Sequence, residues 1–353
     1  MSSKESGKGA MHSKLSDTEL KSLRLMWSEV LPKIRDHPRN ESFPKDDSGL
    51  GGVEKAFWKI ILFDHPDNIL LRFLRARKFD VQKSCEMFMN ALDWRLDEDV
   101  ESIIEKGETT LNQKLLQDGL THFHGRDPYG RPLCIAYVHH WHPKAQTLLE
   151  LKQYVIWTVE TGRLLLDDDK DGKVSAIIDT SGFNMSKVDF SAANFLVGCM
   201  EAYYPECLGN LYIVDAPWVF SGFWKMISPL LDPVIQSKII FCKRKELCNH
   251  IDPEQLLESF GGKDPYEYRY VPPTLEELES TVSSQEKQKA HQHFWETVKA
   301  FVRVTEKWIK DPVTLDQERQ NAAQQLREAG HELQPFIRAS TFYHRTGEIQ
   351  ECK

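Results

Sequence analysis

From about Gly119 onward, the apolar residues of this chain stop recurring at helical spacing and come instead in short runs separated by helices. The run Val174-Ser175-Ala176-Ile177-Ile178-Asp179, with Gly172 ahead of it, has the length and the branched side chains of a central strand. Residues 211–214 and 239–241 repeat the pattern, while 148–166 and the set Phe190, Ala193, Leu196, Val197, Met200 and Tyr203 follow helical spacing. Strands that alternate with helices of this length need crossover connections, which predicts a largely parallel or mixed sheet. Ahead of them, residues 121–123 and 133–138 flank the turn Gly125-Arg126-Asp127-Pro128-Tyr129-Gly130 and read as a hairpin. The fold class is therefore α/β.

Before the sheet the chain is helical. Ser16 with Glu19 three residues on makes a capping box, and Leu20, Leu23, Trp27, Val30, Leu31 and Ile34 follow as an apolar stripe. A polar stretch over 37–52 precedes a short helix around 57–61, Pro66 opens another, and Asp80 caps a third with Val81, Cys85, Phe88, Met89, Leu92 and Leu96 on its inner face. After the sheet, Asp252-Pro253 and Phe260-Gly261-Gly262 mark a helix start and stop, and Pro272-Pro273 begins a tail. There Phe294, Val298, Phe301, Val302, Trp308 and Ile309 predict one long amphipathic helix packed back on the body. The expected organisation is a disordered start over 1–15, a helical module over 16–112, a sheet domain over 113–272 and a helical extension over 273–353.

Composition removes several function classes. With 45 Lys+Arg against 53 Asp+Glu the net charge is −8, so the chain lacks the broad basic footprint of a nucleic-acid binder. Seven cysteines with no CxxC pair favour a reducing compartment over a disulfide framework. The first fifteen residues lack an apolar signal core, and no run of 18 apolar residues occurs, so the expectation is a cytoplasmic monomer that meets membranes only peripherally.

Catalytic and metal motifs are mostly missing. Asp167, Asp169, Asp171 and Gly172 imitate positions 1, 3, 5 and 6 of a calcium loop, but position 12, where a bidentate Glu belongs, is Ile178. No P-loop, strand-linked GxGxxG or GxSxG elbow is present, so no enzyme is expected. His122 and His124 are two apart on a strand and share a face, with His139, His140 and His142 at the end of the partner strand. They read as unconnected surface and loop histidines or as the seat of a haem or metal. The segment 216–231 carries Trp218, Phe220, Phe223 and Trp224 among Val219, Met226, Ile227, Leu230 and Leu231, with apolar groups on nearly all sides. It is either a buried crossover helix or a lid over an apolar cavity, with Ser221-Gly222 and Ser228-Pro229 as places where it could bend.

Five strings occur in one order: Leu70-Leu71-Arg72-Phe73-Leu74-Arg75-Ala76-Arg77-Lys78-Phe79-Asp80, Asp127-Pro128-Tyr129-Gly130-Arg131-Pro132, Tyr204-Pro205-Glu206, Leu231-Asp232-Pro233-Val234-Ile235-Gln236-Ser237-Lys238 and Phe260-Gly261-Gly262. In this the chain resembles the CRAL-TRIO family, and within it the fungal phosphatidylinositol transfer proteins. Ala216-Pro217-Trp218 and the tail 337–345 resemble the branch linked to phospholipid regulation and squalene-like ligands.

The resemblance implies a helical N-terminal tripod, a mixed-sheet lipid-binding domain with a gating helix, and a helical tail. It implies a carrier that binds phosphatidylinositol, has no cofactor, and moves lipid without chemistry; a haem or other small-hydrophobe binder on the same fold is the alternative. By the family motifs the headgroup would meet Arg77, with Lys78, Asp127, Glu206 and Lys238. The cations suit a phosphodiester, and the carboxylates suit ring hydroxyls. The cavity and gate would be lined by Val174, Ala176, Ile178, Tyr204, Phe220, Phe223, Trp224, Ile227, Leu230 and Leu231. Ile235 stands where the family has a threonine, removing one hydroxyl from the phosphate region. Phosphatidylcholine-binding members carry hydroxyls on the inner face of the central strand, which Val174, Ala176 and Ile178 lack, so a second ligand would be less polar, such as a sterol precursor.

Overall fold

The computed structural model describes residues 15–43, 49–167, 170–275, 277 and 284–349. Apart from Leu15, the stretch expected to be disordered lies outside these residues, as does Asp169. Contacts divide the chain into two units, each assembled from sequence-distant pieces. One joins the chain up to Glu105 with Thr274–Ser340; the other joins Lys106–Pro273 with the stretch from Thr341. The segment read from sequence as one extension after 273 is thus shared between the two.

The helical unit begins with α1 (Asp17–Arg35), closed at its start by the capping box: Glu19 N donates to Ser16 Oγ and Ser16 N donates to Glu19 Oε2. Leu23, Met26, Trp27, Val30, Leu31 and Ile34 form its buried stripe. Helices α2 (Gly52–Ile61), α3 (Pro66–Ala76) and α4 (Val81–Asp97) follow, with Pro66 in the first turn of α3 and the Asp80 carboxylate accepting from Lys83 N at the start of α4.

The sheet unit holds five strands whose spatial order follows the chain: β1 (Thr121–Arg126), β2 (Pro132–Tyr137), β3 (Val174–Asp179), β4 (Leu208–Val214) and β5 (Ile239–Cys242). The β1–β2 pair is antiparallel and the other three pairs are parallel. Helices α5 (Leu148–Gly162), α6 (Phe190–Gly198) and α7 (Phe220–Ile227) make the crossovers. Right-handed crossovers in a sheet that grows in one direction carry their helices to one face. Two contacts mark that face: a Cβ on Gly162 of α5 would stand 2.7 Å from the Phe123 ring, and Phe220 of α7 packs with Ile213.

Strand alternation separates the two faces cleanly. On β3, Ser175, Ile177 and Asp179 are buried, while Val174, Ala176 and Ile178 are only half-buried. The buried face, with Leu133, Ile135, Ile177, Tyr212 and Val214, packs on Leu247, Ile251, Leu256, Leu257 and Phe260 and is the core of this unit. Register aligns Ala176 with Cys134 and Leu211, and Ile178 with Ala136 and Ile213, so the crossover-side face is a continuous apolar floor.

The chain then supplies the helical unit with two helices where the spacing predicted one, α8 (Ser284–Trp308) and α9 (Pro312–Ile337). The break falls at Asp311-Pro312: the aspartate accepts from Thr314 N, and proline suits only the first turn of the helix it opens. Gly330 lets α9 approach the turn after α2, since a Cβ there would stand 2.1 Å from Leu62 O. No helix among the described residues is long and apolar enough to cross a membrane.

Candidate functional site

The apolar floor is not filled by core. Cys134, Ala136, Val174, Ala176, Ile178 and Leu211 all keep part of their surface. Burial nonetheless pushes the Cys134 thiol up to about 12.

Helix α7 lies over one end of this floor. Phe220 meets Phe183 edge-on at 5.1 Å between ring centroids, and Trp224 meets Phe241 at 5.2 Å. Phe220 and Ile227 are buried and Phe223 and Trp224 half-buried, whereas Ser221, Gly222, Lys225 and Met226 are exposed. The helix is therefore amphipathic rather than apolar all round, and it presents its aromatic side inward. Of the two predicted bends, Ser228-Pro229 does end the helix, with Leu230 exposed and Leu231 half-buried just beyond. Ser221-Gly222 instead lies within the first turn, where the Ser221 hydroxyl donates to Trp218 O at 2.7 Å and so reinforces the turn. Tyr204, expected on the cavity wall, is buried with its hydroxyl donating to Glu160 of α5 at 3.0 Å; Glu160 also pairs with Arg163.

Polar groups gather at the opposite, N-terminal edge of the parallel strands. Arg131, Lys173, Cys207 and Lys238 immediately precede β2, β3, β4 and β5. Glu206, one residue earlier, has φ 57, a left-handed conformation costly for a residue with a Cβ. Its Oε2 lies 3.5 Å from Lys173 Nζ and 3.9 Å from Lys238 Nζ. Desolvation lowers the Lys238 pKa; Glu206 opposes that shift, and the nearby Lys173 and Arg131 charges add to it.

Asp127, expected at the headgroup, is hydrogen-bonded within the protein. Its carboxylate accepts from Tyr129 N at 2.8 Å, Arg131 N at 3.0 Å and Ser175 Oγ at 2.7 Å, and lies 3.5 Å from Arg131 Nη1. Both oxygens are thus engaged in the hairpin turn and in holding Arg131. Arg131 in turn grips Asp171, the Nη2–Oδ2 distance being 2.6 Å, so the Asp171 carboxylate of the imitation calcium loop serves an ion pair at this edge. Arg77 and Lys78 belong to the helical unit, both exposed, with Lys78 and Phe79 in a left-handed turn between α3 and α4. Lys173 and Arg131 were missed in the sequence; the available signal was position, one residue ahead of a strand.

The histidines of β1 face the packed side. His122 is buried beside the rings of Tyr268, Tyr137 and Tyr266 at 4.9, 5.7 and 6.0 Å, and His124 stacks on Tyr266 at 3.7 Å while its Nε2 lies 2.8 Å from Asp264. Among the described residues no group of three His, Cys, Asp or Glu side chains is placed to hold a metal ion. Burial pushes His122 down to about 3. A folded pKa below the unfolded value near 6.5 means that stability is present above that value and is lost as pH falls below it. Between pH 7 and pH 5 this residue should account for about 2 kcal/mol of lost stability. His122→Phe should flatten the acid limb of urea unfolding by that amount; an unchanged slope would contradict a neutral, buried imidazole.

An open apolar floor under an aromatic helix, with ionic groups at the strand starts, defines a lipid-holding α/β domain, and the chain belongs to the CRAL-TRIO family. The CRAL/TRIO domain matches residues 116–262 and the CRAL/TRIO N-terminal domain matches residues 11–90. The phosphatidylinositol transfer protein CSR1 of Eremothecium gossypii is 35% identical over 317 residues, covering 84% of this chain and 72% of that protein. The CRAL-TRIO domain-containing protein C3H8.02 of Schizosaccharomyces pombe is 33% identical over 309 residues, covering 84% of this chain and 69% of its own. Among solved structures, that of Sfh5 shares the fold, with a TM-score of 0.55 at 17% identity over 72% of this chain and 90% of the other.

Proposed function

We propose that this protein is a phosphatidylinositol-binding carrier that exchanges lipids between membranes without chemistry on them. The observation that carries the reading is Glu206 held between Lys173 and Lys238 at the edge of an open apolar floor. In this reading the ammonium groups take the phosphodiester, Glu206 accepts from inositol hydroxyls, and the acyl chains lie along Val174, Ala176, Ile178 and Leu211 beneath α7. Asp127 acts through Arg131 rather than on the ligand. The resemblance to CSR1, whose name is that of a phosphatidylinositol transfer protein, supports the headgroup.

A floor without hydroxyls also suits a second, headless ligand of the sterol-precursor type, since each buried CH2 contributes about 0.8 kcal/mol only where no polar group is stranded. Membrane contact falls to the gate. Trp218 is 87% exposed just ahead of α7, with Met226 and Leu230 also exposed, a composition suited to the bilayer interface. The helix opens about Ser228-Pro229.

Lys238→Ala and Glu206→Ala should each slow phosphatidylinositol transfer between vesicles about tenfold, the worth of a charged hydrogen bond, and leave uptake of squalene unchanged. Equal loss of both ligands, or of neither, would contradict the headgroup assignment.

A further inference from the structure

Helix α7 is held at its two ends by bonds of different kinds. On the entry side, Asp215 follows β4 in a left-handed conformation, φ 53, and accepts from Arg244 N and Nε, both at 3.3 Å. The same guanidinium donates to Asp179 Oδ2 at 2.9 Å and to Ser259 O at 2.6 Å. One cation therefore ties this end to the buried carboxylate that closes β3.

The exit side is built more loosely. After α7 come a 3-10 turn, Ser228–Leu230, and two extended residues, Leu231 with ψ 136 and Asp232 with ψ 141, before the five-residue helix Pro233–Ser237. Pro229 and Pro233 carry no N–H, so the stretch is poor in main-chain donors. Two side chains hold it. Gln236 Nε2 donates to Ser228 O at 2.9 Å and to Leu231 O at 2.8 Å, and Asp232 N donates to Glu201 Oε1 at 2.5 Å. Gln236 belongs to the segment it braces and would travel with it. Glu201 stands on another element, the π-helical turn Cys199–Tyr203 that continues α6 and is closed by Tyr204 N on Cys199 O at 2.7 Å. Such turns are rare and recur at functional places. Glu201 is half-buried and Asp232 exposed, so water can take over either partner when the two separate.

We propose that Glu201 is the latch of the lid: by holding Asp232 N it fixes the chain just beyond Ser228-Pro229, and α7 swings off the apolar floor only when this bond opens. The inference rests on the reading of α7 as the gate of a lipid carrier. The bend at Ser228-Pro229 can change only if the residues after it move, and Glu201 ties those residues to the end of α6. A bond made to the main chain, and not to lipid, acts alike on every ligand. Glu201 is therefore a positioning residue that sets how fast lipid enters and leaves, without setting which lipid is chosen.

The test uses the full chain loaded with labelled phosphatidylinositol or labelled squalene. It measures lipid exchange with vesicles and, in parallel, hydrogen exchange of the main-chain amides of 220–231. Glu201→Ala should speed exchange of both lipids about tenfold, the worth of a charge-assisted hydrogen bond, and speed hydrogen exchange over 220–231 alike while the amides of β2, β3 and β4 keep their protection. Glu201→Gln keeps an acceptor of the same shape without the charge, and its rates should fall between those of the original chain and Glu201→Ala. Unchanged lipid exchange in Glu201→Ala overturns the proposal. Faster exchange of one lipid alone does so too, as does acceleration with lost protection in the strands, which marks a loosened fold. The original chain separates latch from gate: if vesicles speed hydrogen exchange over 220–231 while Glu201→Ala leaves lipid exchange unchanged, α7 opens and Glu201 is not its latch. If vesicles leave 220–231 protected, the gate itself is wrong and the latch falls with it.

Discussion

Asp67→Ala should destabilise the helical unit by about 3–5 kcal/mol, the cost of leaving a buried charge without its partner. Asp67, in the first turn of α3, and Arg319 of α9 are both fully buried. Arg319 Nη1 and Nη2 reach the two carboxylate oxygens at 2.8 and 2.5 Å, and Trp27 Nε1 donates to Oδ1 at 2.6 Å. The guanidinium also donates through Nε to Thr305 Oγ1 at 3.1 Å and lies over the Trp308 ring at 4.2 Å. With the carboxylate gone, the cation keeps its aromatic neighbours but loses its counter-charge in a place water does not reach. Urea unfolding checks the magnitude, and a loss below about 1 kcal/mol would show that water enters to solvate Arg319. Removing both charges, as Asp67→Leu with Arg319→Met, should recover most of the loss, since the penalty is for the unpaired ion.

Glu108→Ala should be of similar size, about 3–5 kcal/mol, and should also free the chain beyond Thr341. Glu108 is buried in the sheet unit and accepts from Phe342 N at 2.5 Å, from Tyr270 Oη at 2.9 Å and from the Arg345 guanidinium. Arg345 Nε donates to Val271 O at 2.9 Å, and Tyr343 Oη accepts from Phe123 N at 2.8 Å on the edge strand β1. One carboxylate thus anchors a segment that covers an otherwise open strand edge. Rapid cleavage after Arg345 by trypsin, together with a lowered unfolding midpoint, is the expected result. Unchanged protease resistance would show that Tyr343 and Phe342 hold the segment without the ion pair.

Neither pair was legible in the sequence. Asp67 stands in the string that carries the family resemblance, but nothing near it indicates that its partner lies 252 residues away. The same holds for Glu108 and Arg345, and it explains why a tail read as an addition belongs partly to each unit. The ionic cluster at the strand starts, proposed to meet the headgroup, was half legible. Glu206 and Lys238 stood in motifs, whereas Lys173 stood in none, and only the parallel register brings it to Glu206. Tyr204 was expected along the cavity and Asp127 at the headgroup; in the structure both make hydrogen bonds within the protein that no short-range pattern announces.

What the amino-acid sequence determined by itself is local. The capping box at Ser16, the proline start at Pro66, the alternation along Val174–Asp179 and the break at Ser228-Pro229 all follow from backbone hydrogen bonding and side-chain period within a few residues. The tertiary structure decided which charges meet. Ion pairs between distant segments depend on strand order, crossover hand and helix packing, and a sequence carries no short-range record of those; burial then decides whether each pair is a solvated contact or a structural necessity.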